Sequence, residues 1–474
     1  MKLRTQTVIN LIVFASLAGL GSLALILIGC SSVTTNPGTT VTNTVKASVP
    51  ISITDAPSDQ VIAASLTLNS VVLADAKGAT ASLLTSPLTF EATHLDAVQE
   101  PLFTPAVPED TYTTVTLKYS NAQVAYIDPV TKNVVIATGT LANSSQTITF
   151  DTPLTVSNTS TSLLIDYLVA NSISISGSTV AVTPDFKVVG VPIRQHPGNG
   201  TEGLQCGVKG TITALGTNQF TLTNAEGKAL VINVDSNTKY EDLTGFSALT
   251  TGMLVEVDTE TQADGSLLAK RIEQEEKPDA ARILLVGPIT KTSGSPVTTF
   301  TQVVRQKVGS TTNALVETDT ITITSSTRFR LPGRFHDMDD GSSPFSAVLS
   351  AVTLFPGENV AVTTDTVTNN AANAISIALA PQTVGGTIAS ITSGDGKAHM
   401  VYTITLDSTS WLAALTGEST VTVYTNGNLQ MINKAALAVG DAARFNGFLF
   451  KVNGKLVLFA DVQADGPGQA IGPD

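Results

Sequence analysis

Short runs in which apolar and polar side chains alternate one for one constrain this chain more than any other feature. Val49-Pro50-Ile51-Ser52-Ile53, Leu66-Thr67-Leu68, Val115-Thr116-Leu117-Lys118-Tyr119, Ile148-Thr149-Phe150 and Ile173-Ser174-Ile175 all show a period of two. That period sends one set of side chains into a core and the other into water, as in antiparallel sheets. Gly, Asn, Asp and Pro part the runs, which suits turns. Composition points the same way. Thr, Ser, Val and Ala dominate, while charged residues are 14% and aromatics 5%. β-branched side chains suit pleated surfaces, and Thr covers their wet faces without charge. At 474 residues the chain is too long for one compact unit. The expected class is all-β, in several domains.

The first domain is expected over residues 47–193. Pro50 donates no ladder hydrogen bond, which suits the start or edge of a strand, and the strand breaks at Thr54-Asp55-Ala56-Pro57. Leu95 to Leu102 reads as a short helical turn. Tyr112, after Pro108-Glu109-Asp110-Thr111, is placed to act as a corner tyrosine whose hydroxyl ties a loop to the sheet. With Leu164-Ile165-Asp166-Tyr167 and Thr183-Pro184, these motifs resemble an uncharacterised family of bacterial envelope lipoprotein domains, the domain of unknown function numbered forty-three eighty-two. Asp110 stands where that family usually has Gly, and Asp tolerates left-handed geometry better than most residues. The resemblance implies an immunoglobulin- or transthyretin-like β-sandwich and carries no functional residue.

Residues 194–205 form a linker rich in Gly and Pro. Its Gly198-Asn199-Gly200-Thr201-Glu202-Gly203 satisfies the dinucleotide-binding pattern literally. That chemistry needs a strand before the first glycine and a helix after the last. Neither is suggested here, so the match is read as incidental.

The remainder repeats irregularly, over 206–278, 281–381 and 383–466, with a tail at 467–474. Each copy opens with Gly, one residue, then Ile: Gly210-Thr211-Ile212, Gly287-Pro288-Ile289 and Gly386-Thr387-Ile388. Each later has a glycine with apolar residues three and five positions on: Gly252 with Val255 and Val257, Gly357 with Val360 and Val362, Gly440 with Ala443 and Phe445. A short apolar segment precedes that glycine, at Phe246-Ser247-Ala248-Leu249, Phe345-Ser346-Ala347-Val348 and Asn433 to Leu437. A strict solenoid would hold its period. Short strands, one helical turn and a glycine re-entry instead suggest tandem small β-barrels, OB-like in topology. The first copy resembles the domain of unknown function numbered fifty-six sixty-six, through Gly210 to Ile212, Thr238-Lys239-Tyr240, Gly252 to Val257 and Asp264-Gly265. The second keeps Thr327-Arg328-Phe329 and has no Asp-Gly turn at the matching place, and the third matches less.

The amino-terminal stretch implies a location. Lys2 and Arg4 precede an apolar run, Leu11 to Ile28, that ends in Leu27-Ile28-Gly29-Cys30. A positive start, apolar middle and small residue before a cysteine read as a bacterial lipobox, with residues 1–29 the signal peptide and Cys30 the lipidated residue. A diacylated cysteine anchors stably where a single chain binds only marginally. Residues 30–46, rich in Thr, then serve as a tether. Ser31 in place of Asp suggests the outer membrane of a diderm envelope. The only other cysteine, Cys206, then has no internal partner and is read as a small buried hydrophobe.

Chemistry is harder to find. The net charge of −13 repels phosphate backbones, so nucleic acid is not an expected partner. His94, His196, His336 and His399 share no zinc-ligand spacing, and no nucleophile elbow or phosphate loop occurs. Asp337, Asp339 and Asp340, ending at Gly341, offer carboxylates for a calcium ion, although the spacing departs from an EF-hand loop. Glu273, Glu275, Glu276 and Asp279 are read as a solvated charge cluster, and Trp411, among Leu and Ala, as a core residue. No catalytic residue and no other cofactor is expected. The expectation is a lipid-anchored envelope protein, structural or ligand-presenting, with the membrane as partner through Cys30. The rival is a glycan-binding or calcium-dependent adhesion protein. A hydrolase would need a pocket gathered from distant loops.

Overall fold

Two facing sheets carry the first domain's alternation. A computed structural model describes residues 45–56, 58–96, 98–158, 161–193, 204–276, 282–310, 315–338, 344–394, 400–431 and 437–465. Cys30 and most of the tether lie outside the described residues. In the larger sheet, the long strands Val61–Asp75 and Asp110–Ile127 pair antiparallel and are flanked by Ser145–Val156 and Thr80–Ser82. The facing sheet runs Phe186–Pro192, Thr161–Tyr167, Ile51–Asp55, Glu100–Phe103. Leu66, Leu117, Phe90, Tyr119 and Tyr167 are buried between them. Pro50 stands just outside its strand, where only its carbonyl is needed, accepting from Leu163 N at 2.8 Å. The hydroxyl of Tyr112 donates to Pro108 O at 2.9 Å, closing the corner that the sequence suggested. The segment from Leu95 to Leu102 is not a helical turn as expected. The turn lies earlier, a 3-10 turn at Thr93–Leu95, and Glu100–Phe103 is a strand. Side chains from Thr93 and His94 fold back onto Glu91 there and fix the earlier position.

Three barrels follow, and they share one scheme. The third is closed, with strands Gln382–Ser393, Met400–Thr405, Thr420–Met431, Lys455–Asp465 and Ala442–Val452 in that order around it. In chain order the circuit runs first, second, third, fifth, fourth, with the third and fifth parallel. The first barrel has the same circuit, closed by a short parallel pairing of Ile232 and Asn233 with Leu267 and Leu268. In the second, the last strand is split: Ala371–Asn373 pairs with Glu317–Thr322, and Ser376–Leu379 pairs with Asn359–Thr364. The chain is an all-β sandwich followed by small five-stranded barrels. Among the described residues no helix is long and apolar enough to cross a membrane.

The repeated glycines have a common geometric cause. A Cβ on Gly210, Gly287 or Gly386 would run into the carbonyl oxygen of Thr223, Val303 or Thr405 on the hairpin partner strand. A bulge follows each Gly-x-Ile, between Ile212 and Ala214, Ile289 and Lys291, and Ile388 and Ser390. The re-entry glycines Gly252, Gly357 and Gly440 have φ of 87°, 101° and 98°, a left-handed region where side chains are strained. Their N–H groups donate to Ile212 O, Ile289 O and Ile388 O at 2.8, 2.7 and 2.8 Å. Each isoleucine N–H in turn donates to the residue after the glycine. The third copy, weakest in sequence, thus keeps the geometry in full. The apolar segments before these glycines differ: Phe246–Ala248 is a 3-10 turn, Phe345 to Val348 is not helical, and residues 432–436 are outside the described set. Thr238 and Thr327 play equivalent parts, each donating to a carbonyl of the closing strand region, Ala269 O at 2.8 Å and Ala374 O at 2.7 Å.

Apolar cores cross domain boundaries. Phe335 of the second barrel packs edge-on against Phe448 and Phe450 of the third, ring centroids 5.6 Å apart in both pairs. Ile62 and Ala63 of the sandwich join the core of the third barrel.

Candidate functional site

Charge is scarce in this chain, and the structure buries much of it along two seams between domains. The first seam joins the first and second barrels. Alternation along Leu254–Thr261 and Leu267–Glu276 places Glu256, Asp258, Arg271, Glu273 and Glu275 on the barrel's outer side, where the second barrel covers them. Arg271 is the hub. Its guanidinium reaches Asp258 at 2.8 Å, Glu273 at 2.7 Å, and Glu241 and Glu256 at 3.0 Å. Lys209 pairs with Glu256 and, at 3.3 Å, with Glu275. Arg330, from the second barrel, pairs with Glu273 at 3.0 Å and with Glu275. Burial pushes Asp258 and Glu273 up, but Arg271, with Arg334 and Gly207 N at Asp258 and with Gly333 N, Arg330 and Lys209 at Glu273, holds both below their ordinary values. The expectation that Glu273 and Glu275 are solvated is therefore wrong. They are buried members of an interdomain ion-pair network, while residues 277–281, including Asp279, are outside the described set.

The second seam joins the sandwich to the barrels. Glu91 ends the strand Leu88–Glu91 and is fully buried. Its carboxylate accepts from Ala64 N at 2.8 Å, Thr93 N at 3.0 Å, Thr93 Oγ1 at 2.6 Å and His94 N at 3.0 Å. The turn Thr93–Leu95 is thereby wound around one carboxylate. His94 Nδ1 lies 3.1 Å from Glu91 Oε2, and its Nε2 points the other way, 3.4 Å from Glu100 Oε1 without hydrogen-bond alignment. Burial disfavours the imidazolium, yet Glu100 and Glu91 outweigh it and raise His94 to about 10. Glu226 reaches in from the turn after Gln219–Asn224 of the first barrel. Burial and then the charge of Glu100 push it up to about 7.

Two arginines complete this seam. Arg305, from the second barrel, donates from Nε to Ile62 O at 2.8 Å and lies over the Trp411 ring at 5.4 Å. Burial lowers its pKa, opposed by Glu91, Asp96 and Asp55. Arg444, from the third barrel, pairs with Asp96 at 2.9 Å and Asp59 at 3.1 Å. Asp96 still rises to about 6 because burial exceeds the pull of Arg444. Asp55 accepts from Val169 N at 3.2 Å, and burial with Asp96 pushes it well above the usual range. A cavity of about 60 Å³ opens beside His94, Glu100, Arg305 and Gln306, room for a few waters.

Trp411 is buried, as its neighbours suggested, and one face is taken by Arg305. Asp337 lies in the helix Gly333–Met338. Its side chain, and all of Asp339 and Asp340, are outside the described residues, as are His196 and His399. His336 is exposed. The side chain of Cys206 is also outside the described set. Reading the sequence by ligand spacing missed the grouping of His94 with Glu100 and Glu226. The only local hint was Glu91, three residues before the histidine.

The family described as Domain of unknown function (DUF5666) matches residues 209–273, most of the first barrel and the stretch whose motifs resemble it. No curated protein matches the chain.

Proposed function

We propose that this chain is a lipid-anchored protein of the bacterial cell envelope, non-enzymatic, that acts as a stiff spacer or presents loops to a partner. One observation carries the reading: its β-domains meet across seams of buried charge. Arg330 pairs the second barrel with the first and Arg444 pairs the third barrel with the sandwich, while Arg305 of the second barrel donates to a sandwich carbonyl, Ile62 O. Apolar cores run across the same boundaries, with Phe335 on Phe448 and Phe450 and with Ile62 and Ala63 in the third barrel's core, so hinging at these seams would expose buried apolar surface to water. A jointed body would not need them. The lipobox ending in Cys30 supports the anchor, with Ser31 favouring the outer membrane. The likeness of residues 47–193 to the family numbered forty-three eighty-two, a family of envelope lipoprotein domains, agrees with that location. The buried face of Trp411 speaks against a stacking platform for sugar or nucleic acid bases.

Intact mass of the native amino terminus tests the anchor. The expected species begins at Cys30 and carries a diacylglyceryl group and an amide-linked acyl chain, and Cys30→Ala abolishes both. A native chain that begins at Met1, or that leaves cells without detergent, would overturn the reading. A glycan array and a melting curve of chelator-stripped, dialysed protein with and without added calcium test the rival adhesion function, for which a hit or a shift would count.

A further inference from the structure

We propose that His94, Glu100 and Glu226 form a binding site for a divalent transition metal that clasps the sandwich to the first barrel. One ligand atom from each of the three lies within 4.8 Å of the others. His94 and Glu100 come from the sandwich and Glu226 from the first barrel's hairpin turn, so the set exists only when the two domains are docked. Two features mark it as more than an acidic cluster. His94 Nε2 and Glu226 Oε2 are buried and have no hydrogen-bond partner among the described residues, with His94 10% exposed at the side chain and Glu226 9% overall. The second is the support behind the histidine. Nδ1 sits on Glu91 Oε2 at 3.1 Å, and Glu91 is itself pinned by three backbone N–H groups. A carboxylate on Nδ1 holds the ring in place, and a metal arriving at Nε2 displaces the proton there and takes up the lone pair.

The donor set selects the ion. Imidazole with two carboxylates suits zinc or manganese, whereas calcium and magnesium take oxygen donors. A zinc ion with ligands at about 2.1 Å holds tetrahedral donors roughly 3.4 Å apart. His94 Nε2 and Glu100 Oε1 already stand at 3.4 Å. Glu226 must close in by an ångström or so, a small movement for a side chain on a hairpin turn. The adjoining cavity supplies water for the fourth position and little more. Two carboxylates from different domains, facing each other across buried space, gain from a cation between them.

The test uses the untagged full chain, stripped with chelator, dialysed, and loaded separately with zinc, manganese and calcium chloride. Bound metal is counted by mass spectrometry and stability followed by melting. About one zinc per chain should survive dialysis, with a rise in melting temperature that calcium does not give. Glu226→Gln keeps the shape of the turn and should weaken zinc binding at least about tenfold. His94→Ala should do the same, but its turn is wound on Glu91, so the Glu226 variant decides if that protein folds poorly. Retention below about a tenth of an equivalent in the wild type, unchanged affinity in Glu226→Gln, or an equal calcium shift would overturn the site. None of these results depends on the lipid at Cys30, so the two proposals fail separately.

Discussion

The two seams use the same residue types and reach opposite ends. In the barrel–barrel seam every buried carboxylate named above has a cation in reach: Glu256 has Arg271 and Lys209, Glu273 has Arg271 and Arg330, Glu275 has Lys209 and Arg330. In the sandwich seam, among the described residues, Asp55 accepts from a backbone N–H and forms no ion pair, and one oxygen of Glu226 has no hydrogen-bond partner. The protonation tendencies follow. Asp258 and Glu273 are held down by Arg271, while burial drives Asp55, Asp96 and Glu226 up. Compensated charge makes a cement that has no further use for a ligand. Uncompensated charge keeps a capacity to take up a proton or a cation, and that is why the second seam, not the first, is the candidate site.

The contrast breaks most directly at its hub. Arg271→Met takes one cation from each of Glu241, Glu256, Asp258 and Glu273, leaving Glu256 to Lys209 and Glu273 to Arg330. Removing one member of a buried ion-pair network costs about 3–5 kcal/mol. Urea denaturation, which does not screen charge, should show the midpoint falling with little change in slope. A loss under about 1 kcal/mol would mean that the network is ornament and that apolar packing alone holds the barrels.

The pH dependence should separate the two kinds of carboxylate by sign. Asp166, in the sandwich strand Thr161–Tyr167, is buried with both oxygens unpartnered among the described residues, and burial raises it to about 7 despite Lys187 across the strand pair. Its unfolded value is about 3.9. Above pH 7 the folded state carries a buried charge. As pH falls from about 7 to 4 the folded state takes up the proton first, so stability rises, and below 4 the effect is complete. Asp166→Asn should therefore stabilise the protein at pH 8, by at most about 4 kcal/mol, with the gain vanishing near pH 4. Asp258 and Glu273 act oppositely: their contribution is present above the unfolded carboxylate value and is lost as acid brings the pH down through their lowered values. If Asp166→Asn gives no gain at pH 8, the link between missing partners and raised proton affinity fails.

How much of this was legible beforehand depends on the distance over which a residue acts. Period-two runs such as Val115 to Tyr119 became strands because alternation is a local demand of the pleat. The Gly-x-Ile openings and re-entry glycines were readable because close approach and left-handed backbone each demand glycine. Tyr112 and Pro108 lie four residues apart, so their hydrogen bond was foreseeable too. The acidic run from Glu273 misled because charge on an alternating strand reads as a wet face. Only the second barrel, bringing Arg330, makes it a buried one. His94 and Glu226 belong to different domains, and no spacing rule spans a docking event.

Arg305 sits where three domains meet, and its contact with Trp411 sharpens the comparison because it pairs a cation with an aromatic face rather than a carboxylate. A double-mutant cycle of Arg305→Met with Trp411→Leu should give a coupling of about 1–2 kcal/mol, the range for a desolvated cation–π pair. Trp411 is the only tryptophan, so its emission reports this meeting point alone. A coupling indistinguishable from zero would assign Arg305 wholly to Ile62 O and the surrounding carboxylates.

The smallest effect is the control for all the others. Tyr112→Phe removes a neutral hydrogen bond to Pro108 O at a sandwich corner whose two partners belong to neither seam. A typical bond of this kind is worth about 1 kcal/mol net, somewhat more if the carbonyl is left without water. Because neither partner is charged, the loss should be equal in low and high salt and level between pH 4 and 8. Burial raises the Tyr112 hydroxyl further from that window, so no titration of its own intrudes. Measured beside Arg271→Met, which should respond to acid, and Asp166→Asn, which should respond in the opposite sense, a flat Tyr112→Phe profile would confine pH sensitivity to buried charge. A sloping one would mean that the sandwich and barrels unfold as a single electrostatic unit, and that single-site losses cannot be read as properties of their own seam.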